Sequence, residues 1–350
     1  MAYSTISKPS LHFNTKTYTG TGADNNAITG VGFQPDWTWL KSRSVAEGHY
    51  LQDAVRGATK HLHSQNTDAE ATQSNALKSF NSDGFTVGDE GDINTNNSTN
   101  VSWNWKANGQ GSSNTDGSIN TTYTSVNTTA GFSISQYTGT GSAATVGHGL
   151  GAVPRLIIIK KLNSSTGADW YVYHASNGNN SKIWLNQTSA KGTGTHMNNT
   201  TPTSSVFSIG TPTEVNNSGD TYIAYCFAEK KGYSKFGSYI GNGNANGTFI
   251  YTGFKPAFLI VKRTNSSGDD WNMWDSTRRT FNLTTLNLKP NASNAEGTAD
   301  NHGFDLLSNG FKPRGSIDAT NGSNSTYIYM AFAKEPLVAN VGAGIPATAR

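Results

Sequence analysis

Residues 32–41 read Gly-Phe-Gln-Pro-Asp-Trp-Thr-Trp-Leu-Lys, and this stretch returns twice further along the chain. The second copy, residues 152–160, reads Ala-Val-Pro-Arg-Leu-Ile-Ile-Ile-Lys. The third, residues 253–262, reads Gly-Phe-Lys-Pro-Ala-Phe-Leu-Ile-Val-Lys. In each copy a proline precedes a run of bulky, mostly apolar residues, and a lysine ends it. Such a bounded run predicts a strand that is buried on both faces.

A glycine-rich motif precedes each run. Tyr-Thr-Gly-Thr-Gly stands at 18–22 and 137–141, and Tyr-Ile-Gly-Asn-Gly stands at 239–243. The lysines that end the runs are 119 and then 102 residues apart. Periods of this length match whole domains and exclude solenoids, whose repeats span roughly 20–50 residues. The sequence therefore predicts three copies of one unit, which suggests an architecture that presents surfaces and not a single catalytic cleft.

Each unit also ends in an alternating strand. Val101, Trp103 and Trp105 alternate with polar residues, and residues 223–227 and 328–332 repeat the apolar pattern. Alternation with period two predicts a strand with one face in the core. The only cysteine, Cys226, falls on the opposite face, so we expect a small packed residue and not a nucleophile.

Two features of the repeated run could serve either a core or a ligand. Trp37 and Trp39 could stack on a sugar, but the counterparts of Trp39, Ile158 and Ile260, are aliphatic, which favours core packing. The lysine that ends each run is expected to lay its stem on the core and to keep its ammonium group in water.

The composition narrows the class of protein. Charged residues make up 14% and apolar residues 34%, so Ser, Thr, Asn and Gly dominate the remainder. Low hydrophobicity without high charge is untypical of disorder, and frequent turns predict an all-β chain of sandwich or jelly-roll units. A net charge of +3 without a basic run argues against nucleic-acid binding. We also expect no membrane insertion and no secretory signal, since no long apolar stretch is present.

The predicted organisation follows the repeats. It has an N-terminal arm (1–12), unit one (13–107), a linker (108–131), unit two (132–232), unit three (233–335) and a C-terminal arm (336–350). The linker is almost wholly Gly, Ser, Asn and Thr and is expected to be extended. Because units two and three join directly, we expect a compact pair with unit one set apart. The arms either dock on neighbouring subunits or are disordered, and residues 68–78 are the best helical candidate.

Few residues suggest chemistry. Asp53 with Arg56, and Asp275 with Arg278, could each close a turn through a charge-assisted hydrogen bond. His61 and His63 have a metal-like spacing, although an exposed polar strand is the simpler interpretation. Acidic residues could hold Ca²⁺ or lie solvated in loops; they are Asp83, Asp89, Glu90, Asp92, Asp269 and Asp270. No phosphate loop, Cys/His metal pattern or nucleophile elbow is present, so we expect no cofactor and no catalytic residue.

Several stretches together resemble repeats of virion structural and tail-fibre proteins from marine bacteriophages of the cyanophage and pelagiphage type. The likeness spans roughly residues 13–335. It is carried by the glycine-rich motif, by Gly-Phe-Gln-Pro-Asp-Trp at 32–37, and by the stretches at 53–60, 79–85, 114–119, 129–134 and 146–150. The resemblance implies concanavalin-like or jelly-roll sandwiches in a virion, and it supplies no catalytic residues.

The resemblance implies a non-enzymatic fibre or spike protein, a homotrimer that contacts glycans on the host surface. The alternative is a head fibre, capsid decoration or tail-adaptor protein that binds other virion proteins. A polysaccharide depolymerase is a lesser alternative, because it needs two carboxylates across a cleft and nothing in the sequence points to such a pair.

Overall fold

The computed structural model describes residues 4–298 and 300–338, and these residues form an all-β, antiparallel sandwich fold. Each repeat of the sequence builds one main sheet, one smaller sheet and one short two-stranded sheet. Unit one holds β1 (Phe13–Thr19), β2 (Asn26–Thr29), β3 (Trp37–Ser42), β4 (Tyr50–Asp53), β5 (Lys60–His61), β6 (Ala71–Thr72), β7 (Leu77–Asn81), β8 (Gly84–Val87), helix α1 (Gly91–Asn94) and β9 (Thr99–Trp105).

Unit three repeats this order, and unit two repeats it with β10 added at its start and, among the described residues, without a counterpart of β7. Unit two holds β10 (Tyr123–Asn127), β11 (Phe132–Thr138), β12 (Ala144–Gly147), β13 (Pro154–Lys161), β14 (Tyr171–His174), β15 (Ser181–Lys182), β16 (Gly192–Thr193), β17 (Val206–Ile209), α2 (Thr213–Asn216) and β18 (Thr221–Ala228). Unit three holds β19 (Ser234–Ile240), β20 (Ile250–Tyr251), β21 (Phe254–Arg263), β22 (Asn272–Asp275), β23 (Leu286–Asn287), β24 (Gly297–Thr298), β25 (Phe304–Leu307), β26 (Gly310–Pro313), α3 (Asp318–Asn321) and β27 (Thr326–Pro336). Two 3₁₀ turns lie at Pro9–Leu11 and Asp300–His302.

The three main sheets have equivalent strand orders. They run β1-β9-β3-β4 in unit one, β11-β18-β13-β14 in unit two and β19-β27-β21-β22 in unit three. Unit two has one more strand, β10, beside β11. The repeated run forms the third strand of each main sheet, and the alternating strand forms the second.

The inner faces of all three main sheets meet in one common core. Trp37 of unit one stacks on Tyr225 of unit two with ring centroids 4.4 Å apart. Phe332 of unit three lies 5.9 Å from Phe227 of unit two and 5.0 Å from Phe13 of unit one. The expectation that unit one stands apart is therefore wrong, because its large aromatic side chains fill the centre shared by all three units.

The outer face of each main sheet packs on its own smaller sheet. In unit two, for example, Ile157, Tyr173 and Cys226 pack with Val146 and Phe207. The repeated runs are thus buried on both faces, as predicted, and Trp37 and Trp39 are core residues. The expectation of one buried face for the alternating strand is wrong, since its second face is covered as well.

The two connecting segments also differ from expectation. The predicted linker is not an extended tether, because β10 lies within it and pairs with β11 along residues 123–127. The described part of the N-terminal arm packs on its own chain, where Ile6 joins the common core. Most of the predicted C-terminal arm, residues 339–350, lies outside the described residues. Residues 68–78 contain β6 and the start of β7 and form no helix.

The glycine-rich motif has a structural role that recurs in each unit. The hydroxyl group of Tyr18 donates to the carbonyl of Ile93 in α1 at 2.8 Å. Buried Asn94 accepts the Thr21 N–H and donates to two loop carbonyls. A Cβ on Gly20 would lie 2.2 Å from a carbonyl oxygen of the turn after α1, which excludes any larger residue there. Units two and three make the equivalent contacts through Asn216 and Asn321.

Candidate binding groove between the units

The Asp-Arg pairs predicted as clasps close the corners between units. Arg56 Nε lies 2.5 Å from Asp53 Oδ2, and the Tyr225 hydroxyl of unit two donates to the same oxygen at 2.8 Å. In unit three, Arg278 pairs with Asp275 at 2.5 Å, and Trp103 Nε1 of unit one donates to Asp275 at 3.0 Å. Both pairs are fully buried, so they act in the structure and cannot meet a ligand.

The lysines that end the repeated runs are buried, contrary to expectation. Lys160 Nζ donates to the Thr67 carbonyl of unit one at 3.0 Å, and Lys262 Nζ donates to the Thr188 carbonyl of unit two at 3.4 Å. Burial lowers the pKa of Lys160 to about 7 and those of Lys41 and Lys262 to about 8. Lys160 and Lys262 thus join neighbouring units, whereas Lys41 donates to the carbonyls of Ser42 and Val45 in its own unit.

The two candidate metal ligands are neighbours but lack a third partner. The rings of His61 and His63 lie 4.9 Å apart, and Tyr50 stacks on His61 at 4.8 Å. His61 is buried, so the alternative of an exposed strand is wrong for it, and burial lowers its pKa to about 4. Within residues 4–298 and 300–338, no group of three or more His, Cys, Asp and Glu side chains is placed to hold a metal ion.

Three of the acidic candidates have local structural partners. Asp83 accepts the backbone N–H groups of Gly30 and Gly32, Asp92 accepts the Tyr50 hydroxyl, and Asp269 pairs with Arg263 at 3.1 Å. Burial, and then the nearby carboxylate of Asp92, raise the pKa of Glu47. Cys226 is buried, and burial raises the pKa of its thiol.

The three junctions between units are equivalent places that differ in what fills them. At each junction, β1, β11 or β19 of one unit's main sheet faces the residue that follows the proline of the neighbour's repeated run. The first junction sets β11 of unit two against Asp36 of unit one. The second sets β19 of unit three against Arg155 of unit two, and the third sets β1 of unit one against Ala257 of unit three.

The first junction is filled by the segment that connects units one and two. The start of this segment is held by Asp36, whose carboxylate accepts the backbone N–H groups of Ala107 and Gly109 at 2.6 and 3.0 Å. β10 then covers the edge of β11. The same segment also covers β12, where Ile119 N–H donates to the Thr145 carbonyl at 3.0 Å.

The third junction is partly filled by the N-terminal segment. Residues 7–10 face the start of β1 across a cavity of about 400 Å³, which Ala257 also lines. A stretch of the chain therefore covers the first junction, whereas at the third junction the N-terminal segment lies beside β1 and no described strand pairs with the free edge of β1.

The second junction is an open groove of about 970 Å³. Its lining comes from units two and three and comprises Arg155, Glu229, Lys235, Phe236, Gly237, Ser238, Tyr239, Ile240, Thr248, Phe249, Ile250, Tyr251 and Tyr329. Three of its apolar side chains are largely exposed: Ile240 at 61%, Phe249 at 45% and Tyr251 at 50%. Among the described residues, β27 is the only strand that pairs with β19.

Unit two has no large apolar residue at the positions equivalent to these three. By sheet register, Phe249 matches Thr145 of unit two, and Tyr251 matches Gly147. Ile240 stands where the motif of the other units has threonine. No sequence pattern predicts a role for these residues, although Ile240 is part of the departure of the third motif from the Tyr-Thr-Gly-x-Gly form.

The charges of the groove are unevenly paired. Glu229 lies 3.5 Å from Lys235. Arg155 is exposed, and among the described residues its guanidinium forms no ion pair with a carboxylate. The groove therefore combines apolar side chains, a strand edge and one unpaired positive charge.

Among residues 4–298 and 300–338, no helix has the length and apolar character needed to cross a membrane. Comparison with curated proteins found no match, and comparison with solved structures found none either. A protein-family model does match, over residues 8–336, which is nearly the whole chain. The chain therefore belongs to the family described as a domain of unknown function, DUF7483.

Proposed function

We propose that this chain is a non-enzymatic structural protein of a bacteriophage particle that binds another virion protein through the groove at the second junction. The phage setting rests on the resemblance of its repeats to virion proteins. The binding role rests on one observation: at the second junction Ile240, Phe249 and Tyr251 are largely exposed beside β19, which among the described residues pairs with no strand except β27. Exposed apolar residues grouped along one groove are typical of interaction sites.

The edge of β19 favours a protein partner, and hence an adaptor, decoration or head-fibre role. Unpaired backbone N–H and C=O groups on a strand edge are a template for another strand. A receptor-binding fibre would expose the groove at a free tip, whereas an adaptor or decoration would bury it against a neighbour.

A density map of the intact particle at a resolution that traces this chain tests the proposal. The expected result is the second junction in contact with another virion protein. A chain that is absent from the particle, or a groove that faces solvent at the tip of a projection, would contradict it.

Contact with host glycans is a second candidate, favoured by the exposed rings of Phe249 and Tyr251. Aromatic faces beside polar and charged groups suit a sugar, which has apolar faces and hydroxyl edges. Binding of the purified chain to host polysaccharide that is lost on Tyr251→Ala would support this role. Unchanged binding in that variant would remove the groove as the glycan site.

Two further expectations stay as predictions. A homotrimer is expected from the resemblance, although a single chain already closes the three-unit core. A depolymerase would release reducing sugar from host polysaccharide and would lose that activity when one carboxylate is changed. Glu47 and Asp92 are the first pair to substitute, because the raised pKa of Glu47 is what a general acid requires.

A further inference from the structure

We propose that the second junction binds an extended, acidic polypeptide segment of a separate protein, which adds a strand to the edge of β19. This inference deepens the binding role proposed above by naming the kind of partner. The partner would cover unit three as the connecting segment of residues 108–127 covers unit two.

One edge of β19 has no strand paired with it among the described residues and can therefore accept one. Ser238 occupies the position of Gln136 in β11. At the first junction, the carbonyl of Gln136 accepts the Thr122 N–H at 2.7 Å. The backbone groups of this residue therefore point away from β18, the strand that pairs with β11 on the other side. Alternate residues of an antiparallel strand face the same neighbour. In the described part of the chain, no hydrogen bond joins the Ser238 backbone to a residue outside β27.

The side chains beside this edge fit a segment that continues beyond it. At the first junction, the connecting segment also covers β12, where Ser118 N–H donates to Thr145 Oγ1 at 2.8 Å. In unit three, the equivalent strand β20 is flanked by Phe249 and Tyr251. The exposed ring of Phe249, at a position that unit two covers with its connecting segment, indicates a partner whose side chains bury it. A cover of this kind needs a polypeptide that is extended over both strands.

Charge complementarity gives the partner its acidic character. At the first junction, the Asp36 carboxylate meets two backbone N–H donors of the covering segment. At the second junction, the equivalent residue is Arg155, which presents donors and positive charge. Its matching partner therefore supplies acceptors, and a carboxylate pairs best with a guanidinium group. Glu229 is already beside Lys235, so a carboxylate would be drawn to Arg155.

Selection from a displayed library of random 16-residue peptides against the purified full chain tests this proposal. Enriched peptides should carry acidic residues, and their affinity should fall at least tenfold on Ser238→Pro and on Arg155→Ala. Proline removes only an N–H group that faces away from β27, so the fold is expected to remain intact. Thr17→Pro, at the equivalent position of β1, is the matched control and should leave affinity unchanged. Methylation of alternate backbone amides of the peptide should abolish binding.

Each other outcome overturns the proposal in its own way. Failure to enrich any peptide, or peptides that bind Ser238→Pro as well as wild type, would exclude strand addition. Binding of an acidic oligosaccharide that needs Arg155 and Tyr251 but tolerates Ser238→Pro would identify a glycan instead. Self-association of the chain that Ser238→Pro abolishes would identify a second copy. These measurements use the isolated chain, so they stand apart from the particle map, which tests the virion role.

Discussion

The corner of unit three and the corner of unit two occupy the same place in the repeat but close by different chemistry. In unit three, Asp275 binds Arg278 and also accepts Trp103 Nε1 from the next unit. In unit two, the matching residue is His174, whose Nε2 lies 3.2 Å from the Tyr329 carbonyl of the next unit. The difference follows from the neighbouring strand, because the position that carries Trp103 in unit one carries Met330 in unit three. The methionine side chain has no N–H or O–H group to donate, so the donor at this corner must come from the residue at position 174.

Beside these corners, an equivalent backbone hydrogen bond joins each unit to the next. Glu70 N–H donates to the Leu162 carbonyl, Lys191 N–H to Thr264, and Glu296 N–H to Arg43, each at 2.7 to 2.8 Å. The cyclic arrangement therefore depends on shape and backbone bonding that all three units share. The charged clasp is an addition at two of the three corners.

Removal of the charged clasp should have the largest effect on stability. Arg278→Ala leaves the buried carboxylate of Asp275 without its cation and also breaks the 2.8 Å ion pair with Glu296. We expect a loss of about 3–5 kcal/mol in the free energy of unfolding, measured by urea titration. Asn177→Ala is the matched control at the equivalent position of unit two and should cost less than about 1 kcal/mol, since its Nδ2 has no hydrogen-bond partner within residues 4–298 and 300–338. Equal losses in the two variants would show that charge does not distinguish the corners.

His174→Asp should destabilise the chain, although aspartate is the residue of the other two corners. The carboxylate would face the Tyr329 carbonyl, so that two acceptors meet in a buried site where a donor stood. We expect a loss of about 2–3 kcal/mol in the same titration. His174→Gln keeps a donor and should lose less. If the aspartate variant proves as stable as wild type, the donor on the neighbouring strand does not select the corner residue.

The pH dependence of stability should also report on this corner. Burial lowers the pKa of His174 to about 4 from its ordinary 6.5, so the unfolded chain binds a proton more readily than the folded chain. Stability is therefore lost as the pH falls below about 6.5, with a contribution of about 2 kcal/mol by pH 5. Urea titrations of wild type and His174→Gln at pH 7.5 and pH 5 measure it. The variant should lose less stability between these two pH values, and parallel losses would contradict the assignment.

The sequence predicted the strands better than the way in which they assemble. Continuous apolar runs and period-two alternation gave the central strands of all three main sheets, because burial alone determines those patterns. The common core was missed because a run buried on both faces does not say what covers the second face. The composition of residues 108–131 predicted a tether, and only pairing with β11 makes part of it a strand.

The candidate groove could be predicted only in part. The departure of the third motif marks Ile240, but its exposure depends on the absence of a covering strand, which is a tertiary property. Likewise, the Asp-Arg spacing indicated a clasp without revealing that Tyr225 and Trp103 of other units complete it. Contacts between residues far apart in the chain were outside the reach of local patterns.

The smallest expected effect concerns a second difference between the units, on the outer face of the main sheets. Thr38 matches Ile157 and Leu259 in the repeated run, yet it is fully buried and its Oγ1 has no hydrogen-bond partner among the described residues. Valine has nearly the same shape and removes only the unpaired hydroxyl, so Thr38→Val should raise the free energy of unfolding by about 1 kcal/mol. Urea titration at pH 7.5 measures the change, and Thr38→Ser is the control, since it keeps the hydroxyl group, loses a methyl group and should destabilise. A less stable valine variant would mean that the hydroxyl group has a partner in solution. Unit one would then hold a polar contact where units two and three have only apolar packing.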